Sequence, residues 1–306
     1  MNSATHVIVL MVPSGIDFEL QTLEHAVAET GGAVLGHRDV PVPVTLSSSR
    51  TVHNFLIDCH NEAGLSQRLR DLSDHCRVDL ALQPRAMRTR DYRLAVFDMD
   101  STLIDCEVID ELADMAGVGD QVAAITASAM RGEVDFDESF RTRLALLKGL
   151  SADAVEALAD RLPIKEGLRE MTTTLRARGV MLAIFSGGFL PIAKRLQQDF
   201  GFDQVVANTL EISHGFVTGG VVPPIVNREY KATALQTLCD RLGIGVEQSI
   251  AVGDGANDLS MMELAGLGVA FHAKPTVRAA SPIEVTYGGL DGICYLLGSE
   301  GEFSKD

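Results

Sequence analysis

The feature that most constrains this chain is a short apolar run that ends abruptly in two acids: Arg93-Leu94-Ala95-Val96-Phe97, then Asp98-Met99-Asp100-Ser101-Thr102. An apolar run without alternation reads as a strand buried on both faces, the signature of a parallel sheet. Open α/β sheets gather their ligands outside the carboxyl ends of the strands, which puts both aspartates at a site. Side chains one residue apart share a face of an extended strand, but past a strand end the chain can turn and splay them. One carboxylate is then free to attack and the other to handle protons. Taken alone, Asp-x-Asp followed by Ser-Thr is also turn and helix-cap chemistry, so the rest of the chain must decide.

Helical spacing follows the motif over 108–116, 121–131, 136–147 and 152–161, with Gly117, Gly132 and Gly149 as stops. Parallel-sheet rhythm resumes only with a helix over 167–178, a strand over 180–185, the loop Ser186-Gly187-Gly188 and a helix over 190–200. Residues 105 to about 165 therefore read as an inserted helical cap. A hairpin turn is predicted at Ser213-His214-Gly215, a helix over 230–242 and a strand over 249–252 that delivers a second acidic loop, Gly253-Asp254-Gly255-Ala256-Asn257-Asp258. Asp98/Asp100, Ser186-Gly187-Gly188, Lys231 and Asp254/Asp258 thus fall in series at predicted strand ends or helix starts. Carboxylates from separate strands suit a hard divalent cation, loop amides before a helix suit phosphate oxygens, and a lysine adds a point charge on a transferring group.

The first 90 residues carry a different pattern. Strands over 6–12, 33–44, 51–59 and 78–83 alternate with helices over 18–29 and 65–75, and Leu46-Ser47-Ser48-Ser49 reads as a turn. The β-α-β-β-α-β order predicts a ferredoxin-like α+β domain and resembles the ACT type of amino-acid-binding domain. Pro84 to Arg93, with four arginines, reads as an exposed linker, placing a boundary near residue 90. Of the net charge of −16, residues 1–93 hold only −2 (nine basic against eleven acidic), so the acidity lies where the aspartate motif lies. Such a balance argues against nucleic-acid and membrane partners. Five scattered cysteines without C-x-x-C spacing fit free thiols, zinc is not expected, and the eight histidines show no ligand-like spacing. No basic region followed by an apolar stretch opens the chain, and a cytoplasmic location is expected.

Asp98-Met99-Asp100-Ser101-Thr102, Ser186-Gly187-Gly188-Phe189, Lys231 and Gly253-Asp254-Gly255-Ala256-Asn257-Asp258 together closely resemble the four signature motifs of the haloacid dehalogenase (HAD) superfamily, in its phosphoserine phosphatase branch. The likeness covers roughly residues 93–297, and Glu107, Met130, Phe136 and Ser139-Phe140-Arg141-Thr142-Arg143 extend it into the cap. It implies a Rossmann-like parallel core with an inserted cap, preceded by the ACT-like domain, and Mg²⁺-dependent hydrolysis of O-phospho-L-serine. Asp98 would be the nucleophile and Asp100 the acid and base. Mg²⁺ would be held by Asp98, the Asp100 main-chain carbonyl and Asp254, with Asp258 orienting them. Ser186, Gly187, Lys231 and Asn257 would bind the phosphoryl group. Glu107 would read the ammonium and Arg143 the carboxylate, while Met130 and Phe136 would close over them; Arg141 is assigned to solvent or structure. A different small phosphomonoester, or an amino-acid-responsive regulatory role for the N-terminal domain, stays open. A homodimer through that domain is an expectation of the resemblance.

Overall fold

The computed structural model describes residues 4–41, 50–131 and 133–298, the side chain of Met130 excepted. The first sheet comprises β1 (His6–Pro13), β2 (Ala33–Val40), β3 (Arg50–Asp58) and β4 (Asp79–Pro84), antiparallel in the order β2-β3-β1-β4. Helices α1 (Leu20–Glu29) and α2 (Glu62–Cys76) complete the β-α-β-β-α-β order. Leu23 and Val27 of α1 and Leu65, Leu69 and Leu72 of α2 pack with Ile8, Leu10, Phe55 and Ile57 on one sheet face. The residues between them in sequence, Val7, Val9, Met11, Val52, Leu56 and Ala81, are buried on the opposite face with the rest of the molecule. Burial of both faces is why His6 to Val12 reads as unbroken apolar sequence. The turn expected at Leu46 to Ser49 lies outside the described residues.

That second face is fastened by polar contacts as well. Asp79 is buried, and its carboxylate accepts hydrogen bonds from the backbone N–H of Thr286 (2.6 Å), Tyr287 (3.0 Å) and Gly288 (2.8 Å). Arg50 donates to Asp291 at 2.9 Å. Asp79→Ala would strand three N–H donors in the seam, and we expect a loss of about 3 kcal/mol in chemical denaturation.

The segment expected to be an exposed linker is one only in part: Arg85, Thr89, Asp91 and Arg93 are exposed, but other residues of it are fastened to the core. Arg85–Arg88 forms a short helix, α3, Arg88 and Tyr92 are buried, and Arg88 Nη1 donates to Gln83 Oε1 and to the carbonyl of Tyr295, both at 3.0 Å. A guanidinium that caps carbonyls at a helix end is satisfied without water, so its charge did not signal exposure.

The second sheet follows. Its elements are β5 (Leu94–Phe97), helices α4 (Val108–Met115), α5 (Gly119–Met130), α6 (Phe136–Leu146), α7 (Ala152–Ala159) and α8 (Leu168–Ala177), then β6 (Met181–Phe189), α9 (Leu190–Phe200), β7 (Gln204–Ser213) and β8 (Phe216–Val222). After them come α10 (Arg228–Leu242), β9 (Ser249–Gly253), α11 (Leu259–Leu264), β10 (Leu267–Phe271), α12 (Pro275–Ala280), β11 (Glu284–Val285) and α13 (Gly292–Tyr295). The strand order is β11-β10-β9-β5-β6-β7-β8, and each pairing is parallel except β7 with β8. From β5 the chain builds outward through β6 and β7 on one side and returns through β9 and β10 on the other. The carboxyl end of β5 is therefore the switch point of a doubly wound sheet. The predicted turn at His214-Gly215 joins β7 to β8, and both residues have the positive φ that such a hairpin requires. Ser186-Gly187-Gly188 differs from expectation: it lies inside β6, which breaks register after Phe185 and pairs again at Phe189 with Asn208. The two glycines provide the irregular backbone that a bulge needs.

Helices α4–α7 stand between Ile104 and Ile164, whose backbones pair with each other. Asp105 N–H donates to Pro163 O at 2.7 Å, Lys165 N–H to Leu103 O at 3.0 Å, and the Lys165 ammonium pairs with the Asp105 carboxylate. Entry to and exit from the helical insertion thus run side by side. Among the described residues no helix is long and apolar enough to cross a membrane.

Candidate active site

Two loops and one helix start deliver charge to the switch point. Asp98 follows β5 directly, and its backbone N–H extends the ladder to Val252 O at 2.9 Å, which fixes where the side chain starts. Asp254 and Asp258 come from the loop after β9. Gly253 is required there because a Cβ would sit 2.4 Å from the Asp258 carboxylate. Lys231 lies in the first turn of α10, a helix start set by Asn227, whose side chain caps Tyr230 N–H at 3.0 Å. The Lys231 ammonium is fully buried and donates to Asp98 Oδ1 and Asp258 Oδ1, each at 2.7 Å. The other Asp258 oxygen accepts from Gly255 N–H at 3.1 Å.

Carboxylate oxygens of Asp98, Asp254 and Asp258 lie within 4.8 Å of one another. Burial, then repulsion from Asp98 and Asp258, pushes the pKa of Asp254 up to about 7. Burial and Asp98 push that of Asp258 up to about 6, with Lys231 opposing. Burial works against the charge on Lys231, but the two carboxylates outweigh it and hold its pKa above the usual lysine value. Three carboxylates against one buried lysine leave surplus negative charge on an all-oxygen donor set. That chemistry fits a hard divalent cation.

A cavity of about 660 Å³ opens over this floor, bounded on the far side by the helical insertion. Asp98, Asp100, Glu107, Phe136, Arg143, Gly187, Asp254 and Asn257, all anticipated from sequence, line it. Lys231 and Ser186 lie beneath the surface, fully buried, and Ser186 Oγ accepts from Gly188 N–H at 2.8 Å. Burial, then Glu107 and Asp98, raise Asp100 well above an ordinary aspartate, and its Oδ1 has no hydrogen-bond partner among the described residues. A Cβ at Gly188 would come within 2.7 Å of Asp100 Oδ2, so the bulge in β6 makes room for this carboxyl. Ser101, at a left-handed φ of 57°, donates to Glu107 Oε1 at 2.8 Å and steadies it. Arg143 is half-buried, its guanidinium placed by Ser139 O and Thr126 Oγ1, each at 3.4 Å. Arg141 is exposed, as expected. Phe136 stacks against Phe140, and the Met130 side chain is outside the described residues.

Sequence reasoning passed over Lys274, Thr126 and Asn208. Lys274 follows β10 and reaches the same sheet edge, 3.6 Å from Asp254 Oδ2; a lysine before the helix-opening Pro275 was a readable signal. Asn208 braces the bulge, donating to Gly187 O at 2.7 Å and accepting from Val226 N–H at 2.9 Å. Its role depends on pairing across β6 and β7 and leaves no local pattern.

A doubly wound α/β sheet with aspartates and a lysine converging at its switch point defines an acid-centred α/β enzyme. The model of the haloacid dehalogenase-like hydrolases matches residues 92–266, and the chain belongs to that family. It is 40% identical over 253 residues to the phosphoserine phosphatase of Archaeoglobus fulgidus, covering 82% of this chain and 74% of that protein. It is 45% identical over 221 residues to the phosphoserine phosphatase of Streptomyces coelicolor, covering 72% of this chain but only 54% of that longer protein. Among solved structures, a HAD family hydrolase from Salmonella enterica serovar Typhi superposes with a TM-score of 0.86 at 32% identity, over 98% of this chain and all of that one. A phospho-aspartyl intermediate analogue of phosphoserine phosphatase superposes with a TM-score of 0.64 at 38% identity, over 68% of this chain and 100% of that one.

Proposed function

We propose that this protein is a phosphoserine phosphatase, hydrolysing O-phospho-L-serine to L-serine and phosphate through an aspartyl-phosphate on Asp98. The observation that carries the reading is one cavity with a phosphoryl-handling floor and, on its opposite wall, an arginine, Arg143, beside two acids, Glu107 and Asp110. Lys231 engages Asp98 Oδ1, which leaves Oδ2 to attack phosphorus. As that P–O bond forms, the bond to the seryl oxygen breaks, and Asp100 gives its proton to the departing alkoxide. A water then returns a proton to Asp100 and attacks phosphorus, releasing phosphate and restoring the Asp98 carboxylate. Asp100 must begin protonated, which its buried, anion-crowded setting favours.

Mg²⁺ held by Asp98, the Asp100 main-chain carbonyl and Asp254 would neutralise the surplus negative charge and polarise a phosphoryl oxygen. Asp258 has both oxygens engaged and serves to hold Lys231 and the acidic loop. Two of the three ammonium protons of Lys231 are spoken for, and the third suits a phosphoryl oxygen together with Ser186, Gly187 N–H and Asn257. On the cap side, Glu107 receives the substrate ammonium and Arg143 its carboxylate, while Phe136 and Met130 cover the site.

Phosphate release from a panel of phosphomonoesters, with Mg²⁺ and with chelator, tests the whole. Phosphoserine should dominate and chelator should abolish turnover; equal turnover of a simple sugar phosphate would overturn the substrate assignment. Arg143→Met is expected to raise KM for phosphoserine about 100-fold. The same change should leave phosphoethanolamine, which lacks the carboxylate, within about twofold of wild type.

A further inference from the structure

We propose that the N-terminal sheet carries a second cation site of different chemistry, in which His37, Asp39 and His53 bind a divalent transition ion of the Zn²⁺ class. Nothing in the hydrolytic reading uses these residues. His37 Nε2 lies 3.2 Å from His53 Nδ1 and 3.2 Å from Asp39 Oδ1, and His53 Nδ1 lies 2.8 Å from the same carboxylate oxygen. Ligand atoms in a tetrahedral site with bonds of about 2.0–2.1 Å stand about 3.3 Å apart. The three donors therefore sit close to one face of such a tetrahedron, with the fourth corner left for water. Ring nitrogens this close to each other and to one carboxylate oxygen need either a ring hydrogen or a metal ion between them, and a metal ion can take the place of that hydrogen.

The cluster stands on strands, which hold side-chain geometry better than loops. Asp39 is the direct cross-strand partner of His53, and His37 is the partner of Phe55, on whose buried ring it stacks at 4.6 Å and 18°. A register shift between Val34 and Gly36 creates the arrangement. Val34 pairs with Ile57 but Gly36 with Leu56, so one extra residue in β2 moves His37 and Asp39 onto the face that His53 and Phe55 share. Unshifted pairing would set Arg38 opposite His53. Two imidazoles and a carboxylate prefer Zn²⁺, Co²⁺, Ni²⁺ or Cu²⁺, whereas the all-oxygen catalytic centre suits Mg²⁺.

Co²⁺ is the probe, because its four-coordinate complexes absorb visible light much more strongly than its six-coordinate oxygen complexes. Titrated into the full-length protein in excess Mg²⁺, Co²⁺ should produce a strong visible band that saturates at one equivalent. The band should persist in Asp98→Asn and vanish in His37→Ala and His53→Ala, with phosphatase activity unchanged in both histidine variants. Melting in chelator checks that these variants are folded, and His53→Gln replaces His53→Ala if the latter melts early. No strong band in the wild-type protein, or a band that survives both histidine substitutions, overturns the assignment.

Discussion

Asp98→Asn is expected to lower phosphoserine turnover by about 10⁴-fold or more, while the melting temperature stays within a few degrees of wild type. An amide cannot act as the anionic nucleophile, and no other described carboxylate has the same place at the end of β5. The small thermal effect follows from two opposed changes. Lys231 loses the ionic half of its 2.7 Å contact with residue 98, and Asp254 and Asp258 lose a buried negative neighbour that raises both their pKa values. Phosphate release and differential scanning calorimetry on the same preparation separate chemistry from folding. Near-full activity in the variant would remove Asp98 from the reaction.

Lys231→Met is expected to damage both activity and stability. Lys231 is fully buried between two carboxylates, and deleting one partner of a buried ionic network costs about 3–5 kcal/mol because the remaining charges are left uncompensated. Arginine should not rescue it, since a planar fork does not fit the space and contacts of a compact ammonium. The instability should depend on pH. A carboxylate whose folded pKa lies above its unfolded value is charged at a cost in the native state, so stability falls as pH rises between the two. Asp258 is already raised from 3.8 to about 6 with Lys231 present, and removal of the lysine raises it further. The gap in denaturation midpoint between variant and wild type should therefore widen from pH 5 to pH 7. A gap that is flat across this range would show that lost packing, not uncompensated charge, is the cause.

The floor of the site was legible because parallel strands announce their ends. An apolar run that stops at an acid or a glycine marks both the strand and the edge where it delivers chemistry, as at Phe97-Asp98 and Val252-Gly253-Asp254. Arg143 and Glu107 were accessible through the resemblance, since an arginine on a helix carries no local mark of its target. Charge misled at Arg88, where a guanidinium that looked solvated caps buried carbonyls. Ser186-Gly187-Gly188 looked like a loop because glycine signals a break, yet the strand continues through it as a bulge braced by Asn208. The His37-Asp39-His53 cluster was hidden for the same reason. A one-residue shift in pairing is not written in the spacing of the residues it brings together.

The paired backbones at Ile104 and Ile164 bear on how such a molecule can change over generations. A segment whose two ends already touch adds little to the closure entropy of the body that carries it, whatever its length. The sheet meets this segment at that junction and again at its β8 edge, where the Gly149 N–H donates to Val217 O at 2.9 Å and the Val217 N–H to Leu150 O at 2.8 Å. Helices between these contacts can be lengthened, shortened or exchanged while the aspartates beneath keep their positions, so selectivity and catalysis are free to evolve at different rates.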